Sequence, residues 1–185
     1  MQIKKDLINA CLEGKRAAQN ELYREVFSYL MNICMRYKND YDTAGASLNA
    51  IFLKILSKLD TFKQEESFIA WIKRIAVNHL IDEYRQHKRE RAKLGYIEEE
   101  YKAELNGSAA HEKEAEMNAD YLIQMIKELP PLTAKVFNLY AIDGYKHREI
   151  AELLEMSENT SKWHLREARI KLKEKLKVFN ETISL

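Results

Sequence analysis

The chain has 185 residues, of which 46% are hydrophobic, so it is long enough for one large or two small domains. Five glycines, two prolines and no strand-like alternation predict an all-α protein, and two cysteines without ligand spacing argue against a disulfide framework or a metal site. With no signal peptide and no membrane-length apolar run, we expect a cytoplasmic protein without direct membrane insertion.

Apolar residues at helical spacing predict four helices in the first half of the chain. They span residues 3–18 with a break near Gly14, residues 19–37 with Asn20 as a cap, about Asp42 to Leu59, and about Phe68 to Arg91. The third helix has an outer face of small uncharged residues between Ala44 and Ala50. That face suits close packing against another helix or a partner about as well as it suits simple exposure.

The fourth helix has an inward apolar stripe and a second face of mixed chemistry. Trp71, Arg74, Asn78 and Arg85 place an aromatic platform, an amide and two guanidiniums on that second face. Such a set can stack on a splayed base and hold its backbone. The residues alone favour an alternative, in which Trp71 is buried in the helical core and the arginines are solvated.

Charge is segregated along the chain. Residues 71–93 carry seven basic and three acidic side chains, residues 159–176 carry six and two, and residues 94–128 carry three and nine. Two basic segments on either side of an acidic connector indicate a protein that binds a polyanion at two places. The boundaries predicted from this pattern are a helical domain over 1–91, an acidic linker over 92–115 and a second helical domain over 116–185.

The second domain is predicted to be a four-helix unit that ends in a helix-turn-helix. Its first helix stops at Pro130, Pro131 starts the next, and Gly144 closes that one. The segment "GYKHREIAELLEMSENTSKWHLREARIKLKEKL" then supplies two short amphipathic helices, with Ser157 as N-cap of a helix running to Leu176.

The last helix presents two unlike faces. Its inner stripe consists of Ser161, Leu165, Ala168, Leu172 and Leu176, and its outer residues are Asn159, Trp163, Arg166 and Ile170. An outward tryptophan flanked by Lys162 and Arg166 suits contact with a base edge or a thymine methyl, as in a recognition helix. The alternative is a corner of a helical bundle in which Trp163 packs on a neighbouring element.

Two segments, "SFIAWIKRIAVNHLIDEYR" and "LPPLTAKVFNLYAIDGYKHREIAELLEMSENTSKWHLREARIKLKEKL", resemble those of bacterial extracytoplasmic-function sigma factors. The resemblance covers nearly the whole chain. It implies a first domain that binds core RNA polymerase and opens the minus-10 element, and a second that reads the minus-35 element as duplex. It also implies promoter DNA as a partner, and an anti-sigma protein, which often holds family members inactive.

The same resemblance suggests site residues. For the minus-10 element they are Trp71, Lys73, Arg74, Asn78 and Arg85, with Asn78 at the pocket for a flipped base. For the minus-35 element they are Asn159, Thr160, Lys162, Trp163, Arg166 and Arg169. Thr160 is better suited to a phosphate than to a base.

The chain departs from the family in two places. "DTAGASLNA" stands where an acidic polymerase-binding motif is usual, which leaves Leu48, Asn49 and Phe52 as the expected polymerase contacts. Trp163 and His164 replace a small residue and an arginine, so the promoter sequence should be this protein's own.

Two other functions remain open on the sequence. One is a helix-turn-helix regulator that binds duplex without joining polymerase. The other is a helical interaction module in which Trp71 and Trp163 contact a protein. We expect neither an enzyme nor a bound cofactor, because no phosphate loop, metal spacing or nucleophile setting occurs.

Overall fold

The computed structural model describes residues 3–63, 65–93 and 119–183, and every regular element within those ranges is helical. The chain divides into two compact units, Met1–Gln86 and His87–Leu185. The predicted all-α class is therefore confirmed. Most of the predicted linker, residues 92–115, lies outside the described residues.

The first unit is built on four helices packed around aliphatic side chains. They are α1 (Lys5–Leu12), α2 (Arg16–Tyr37), α3 (Tyr41–Ser57) and α4 (Phe68–Lys93), with a 3-10 turn at Leu59–Thr61 between the last two. The end of α4, from His87 onward, is counted with the second unit. The largest fully buried side chains are Leu22, Val26 and Leu30 along α2, and Leu48, Ile51 and Ile55 along α3. Each buried Leu or Ile contributes about 1.5–3 kcal/mol relative to an exposed one, so these stripes hold the unit together.

The start of α2 differs from the prediction. Gly14 has a φ of +77°, which only glycine adopts without strain, so the chain changes direction at one residue. The next helix resumes at Arg16 rather than residue 19, and Asn20 lies inside it instead of capping it. By contrast α3 has a side-chain cap, because the Asp40 carboxylate accepts a hydrogen bond of 2.8 Å from the Thr43 N–H. That bond lowers the pKa of Asp40.

The small residues of α3 are divided between the interior and the surface. Ala44 and Ser47 are buried, whereas Ala46 and Asn49 are exposed. The buried hydroxyl of Ser47 donates to the Glu83 carboxylate of α4 at 2.9 Å. Short side chains therefore let α3 pack closely within its own unit, and only part of the stretch forms an outer face.

Glu83 is the centre of a half-buried polar cluster. Besides Ser47 it contacts the Lys38 ammonium at 3.0 Å and the His79 ring at 3.5 Å. Burial lowers the pKa of His79 even though Glu83 opposes the shift. On α2, Cys34 is a free thiol whose pKa burial raises to about 12, so it is a poor nucleophile.

The second unit contains the remaining helices described. They are α5 (Ala119–Lys127), α6 (Pro131–Phe137), a π-helical turn (Asn138–Ile142), α7 (His147–Leu154) and α8 (Glu158–Ile183). Pro131 starts α6 and Gly144, at a φ of +82°, follows the π-helical turn, as the sequence predicts. The helix α8 continues to Ile183, beyond the predicted end at Leu176.

None of the helices within the described ranges combines the length and the hydropathy that crossing a membrane requires.

Candidate nucleic-acid interface

The turn between α7 and α8 is tight and well defined. Glu155 ends α7 in the left-handed conformation, with φ 53° and ψ 50°, and the Met156 N–H bonds back to the Ala151 carbonyl at 3.0 Å. The Ser157 hydroxyl then accepts a 3.0 Å hydrogen bond from the Thr160 N–H, which is the predicted N-cap of α8. These contacts set the angle between the two helices of a helix-turn-helix.

The inner face of α8 is anchored by packing and by two histidines. Ser161, Leu165 and Ala168 are buried, which confirms the start of the predicted inner stripe. The Ser161 hydroxyl lies 2.9 Å from Nδ1 of His147 on α7, and Nδ1 of His164 lies 3.0 Å from the Thr133 hydroxyl on α6. Both neighbouring helices are therefore tied to α8 by polar contacts as well as by apolar packing.

The outer face of α8 is exposed over its first three turns. Its residues include all six that the sequence proposed for duplex contact, namely Asn159, Thr160, Lys162, Trp163, Arg166 and Arg169. The Trp163 side chain is 55% exposed and touches the His164 ring edge-on, with centroids 4.8 Å apart. The structure thus brings five of these side chains to one surface, with Thr160 at its edge and the Thr160 hydroxyl 2.8 Å from that of Ser157. Contact of all six with DNA stays a prediction.

A groove of about 620 Å³ runs beside this surface. We call it the cationic groove. It is lined by Tyr140, His147, Lys162, Leu165, Arg166, Arg169, Ile170 and Lys173. The sequence prediction missed Tyr140, His147 and Lys173. Lys173 continues the spacing of Lys162, Arg166 and Arg169, so helical spacing could have found it. Spacing along one helix cannot show that a π-helical turn and the start of α7 approach the same face.

The second predicted surface, on α4, has no exposed indole. Trp71 is only 5% exposed and packs against Phe62 and Phe68, with ring centroids 5.4 and 5.7 Å away. The prediction of an aromatic platform at this position is therefore wrong, and the alternative in which Trp71 enters the core is right. The physical reason is that Phe62, which precedes α4, packs over a side of the helix that the hydrophobic spacing alone predicts to be exposed.

The polar residues of that face divide into two groups. Arg74, Asn78 and Arg85 recur at spacings of four and seven and share one side of α4. Arg74 pairs with Glu66 at 3.3 Å, and Arg85 lies 3.8 Å from Asp82. Lys73 lies about a third of a turn away around the helix, at 100° per residue, so it does not join them.

The predicted polymerase contacts on α3 are mostly buried. Leu48 is 0% exposed and Phe52 is 8% exposed, with its ring edge-on to Tyr23 at 4.9 Å. Only Asn49 is exposed, and its side-chain oxygen accepts a 2.9 Å hydrogen bond from the Tyr23 hydroxyl. The structure therefore corrects Leu48 and Phe52 to core residues.

A helix-turn-helix that carries cations and an indole outward, in an all-helical chain of two compact units, defines a DNA-binding protein. The sequences of known proteins name the family. Residues 22–90 match the model of sigma-70 region 2, and residues 119–172 match that of sigma-70 region 4. The chain belongs to the sigma-70 family of RNA polymerase sigma factors.

Individual relatives agree with this assignment. RNA polymerase sigma factor SigZ of Bacillus subtilis (strain 168) is 28% identical over 138 residues, which are 75% of each chain. Among solved structures, the fold is similar to that of sigma factor RpoE of Bartonella quintana, determined in complex with the anti-sigma factor NepR. That comparison has a TM-score of 0.54 at 18% identity and covers 86% of this chain and 96% of the other.

Proposed function

We propose that this sigma factor directs promoter recognition through two separate surfaces, one on each unit. The outer face of α8 reads the minus-35 element as duplex, and the Arg74, Asn78 and Arg85 face of α4 receives the opened minus-10 element. The observation that supports this most is the outward indole of Trp163 among Lys162 and Arg166 on the second helix of a helix-turn-helix. The protein acts in the cytoplasm and has no catalysis of its own.

On the duplex, the residues of α8 divide into those that hold phosphates and those that reach bases. Asn159 and Arg166 can donate to base edges, and a bidentate pair of this kind contributes about 1–3 kcal/mol of discrimination against the wrong base. The indole of Trp163 supplies apolar contact, for which a thymine methyl is the natural target. Thr160, Lys162 and Arg169 hold the backbone.

On the opened strand, Asn78 has the role of base reader. Its amide offers both a donor and an acceptor to a Watson–Crick edge. Extruding the base costs a few kcal/mol, which stacking and hydrogen bonds must offset. With Trp71 in the core, the planes left for stacking on this face are guanidiniums, and the Arg74 guanidinium, one turn from Asn78, would leave its ion pair with Glu66 to stack on the base.

Core polymerase binds the outer face of α3 in this proposal. That face carries Asn49 together with Ala46 and Leu53, and the Leu53 side chain is 67% exposed. Asp42, in the first turn, is the single acidic side chain of α3, so docking depends mainly on apolar contact and close approach rather than on charge pairing. Phe52 supports the face from beneath by holding Tyr23, which in turn orients Asn49.

An anti-sigma protein is a further proposed partner. RpoE, whose fold this chain resembles, is seen with such a protein bound. We expect a partner of this class to suppress transcription by covering one of the exposed faces described above. Co-purification from the native host checks this expectation.

Run-off transcription with core polymerase from the same lineage tests the proposed function. We expect transcripts from the organism's own promoters to depend on the chain, and Trp163→Ala and Asn78→Ala each to reduce them while circular dichroism stays unchanged. Lys58→Ala, at the exposed position that follows α3, is the matched control. Absence of any dependence on the chain would refute the proposal, and duplex binding without polymerase capture would favour a regulator that does not join polymerase.

A further inference from the structure

The side chain of His164 connects a buried hydroxyl to an exposed indole. Its Nδ1 lies 3.0 Å from the hydroxyl of Thr133 on α6, and Thr133 is only 3% exposed. The same imidazole meets the Trp163 indole edge-on, with ring centroids 4.8 Å apart and planes 75° from parallel. The three side chains therefore form one line of contacts from the interior of the second unit to the outer face of α8.

Helix geometry alone does not bring the two rings together. Successive residues of an α-helix diverge by about 100°, so neighbouring side chains do not normally face each other. The rings of Trp163 and His164 meet only when both side chains adopt particular rotamers, and the hydrogen bond to Thr133 selects the rotamer of His164. The exposed indole then packs against the edge of a ring that is itself fixed.

The imidazole of His164 is suited to support rather than to contact with a phosphate. Burial lowers its pKa below the usual value of about 6.5, although Glu167 opposes the shift. The ring is therefore neutral near pH 7 and adds no positive charge to the surface. Its Nδ1 is also engaged by Thr133, so this side of the ring faces the interior of the second unit.

We propose that His164 is a positioning residue that fixes the Trp163 indole for base reading, and that Thr133 acts through His164 from outside the reading helix. A side chain that is already ordered loses less rotamer freedom on binding, which accounts for about a two- to tenfold gain in affinity for the sequence it fits. Promoter specificity thus depends in part on a residue of α6 that is too buried to touch DNA itself. The inference rests on the proposed function, in which the indole contacts a base.

The mobility of the indole in the full chain gives the first test. In a Trp71→Phe background Trp163 is the only tryptophan, so time-resolved fluorescence anisotropy reports its motion. We expect slow decay in this parent and an added fast component after Thr133→Val, which removes the hydroxyl at nearly constant shape. Thr133→Ser should restore the slow decay. Ser161→Ala is the matched control, because it removes a buried hydroxyl that contacts His147 instead and should lower the melting temperature without freeing the indole.

Run-off transcription by the holoenzyme gives the second test. The measured quantity is the ratio of transcripts from a promoter that the wild-type chain uses to transcripts from the same promoter with a scrambled minus-35 element. We expect Thr133→Val and His164→Ala each to reduce this ratio by about two- to tenfold, and Thr133→Ser to preserve it. Thr133→Val should have no further effect in the His164→Ala background, because it acts through the imidazole. A purely structural role would lower the melting temperature and leave the ratio unchanged.

An indole that moves equally slowly in the parent and in Thr133→Val, or a transcript ratio that Thr133→Val and His164→Ala leave unchanged, would overturn the inference. The proposed function survives either result if promoter-directed transcription still depends on Trp163. A wild-type holoenzyme that makes no transcripts, or that transcribes the scrambled promoter as well as the intact one, refutes the proposed function, and the inference fails with it.

Discussion

The two tryptophans occupy opposite environments, and substituting each with alanine should separate a structural role from a functional one. Trp71 is 5% exposed and contacts the rings of Phe62 and Phe68, whereas Trp163 is 55% exposed and contacts one ring edge. Trp71→Ala leaves a cavity in the first unit and should cost about 3–5 kcal/mol. That is a large fraction of a typical domain stability of about 5–15 kcal/mol.

The expected loss for Trp163→Ala is much smaller. More than half of the side chain is already in water, and an edge-on aromatic pair is worth about 0.5–1.5 kcal/mol beyond its buried area. We therefore expect a change in unfolding free energy of about 1 kcal/mol, with most of the effect falling on promoter-directed transcription instead. Denaturant unfolding followed by circular dichroism measures the first quantity, and run-off transcription the second.

Fluorescence gives an independent check, because these are the only two tryptophans in the chain. In Trp163→Phe the remaining indole should emit at short wavelength and resist quenching by acrylamide. In Trp71→Phe the remaining indole should emit at long wavelength, quench readily, and become protected when duplex binds. Equal quenching of the two variants, or equal loss of stability for the two alanine substitutions, would refute this reasoning.

Three further substitutions or conditions test local features of the two units. Ser157→Ala removes the cap of α8 and should lower stability by about 1 kcal/mol, seen as a lower melting temperature, and Ser157→Thr should largely preserve it. Gly144→Ala forces a side chain into a φ of +82° with nothing nearby to clash, so the expected loss of about 1–2 kcal/mol reflects backbone strain alone. Because burial lowers the pKa of His79 below its usual value of about 6.5, its stabilising neutral state is fully present above that pH and is lost as pH falls. The first unit should therefore melt at a lower temperature in mild acid, and His79→Gln should reduce that dependence.

Periodicity predicted the features that depend on a single helix. In α8 the spacing of Ser161, Leu165 and Ala168 separates inside from outside, because successive residues turn by 100° and one side of the helix must leave water. The turn before it was also predictable, since Ser157 can cap a helix through its own hydroxyl. The fold class, the order of the helices and the outward face of α8 follow from such local rules.

Features that depend on a second element could not be predicted in this way. The pattern along α4 does not show that Phe62 packs over Trp71. A helix that is buried on more than one side has no polar face, so its sequence pattern does not show which way its hydrophobic side chains point. The contact between Tyr140 and His147 could not be predicted for the same reason, since Tyr140 lies in a π-helical turn and His147 begins the next helix.

In the proposed duplex complex, different side chains of α8 set affinity and specificity, and their chemistry explains why. Lysines such as Lys173 act as point charges with no preference among bases, so they set how tightly and how salt-dependently any duplex is held. Trp163 has no charge and a single donor, so it adds little to affinity for an arbitrary sequence but discriminates by shape against base pairs that cannot fill the space around it. Loss of Lys173 should therefore weaken binding uniformly across sequences, and loss of Trp163 should instead flatten the differences between them.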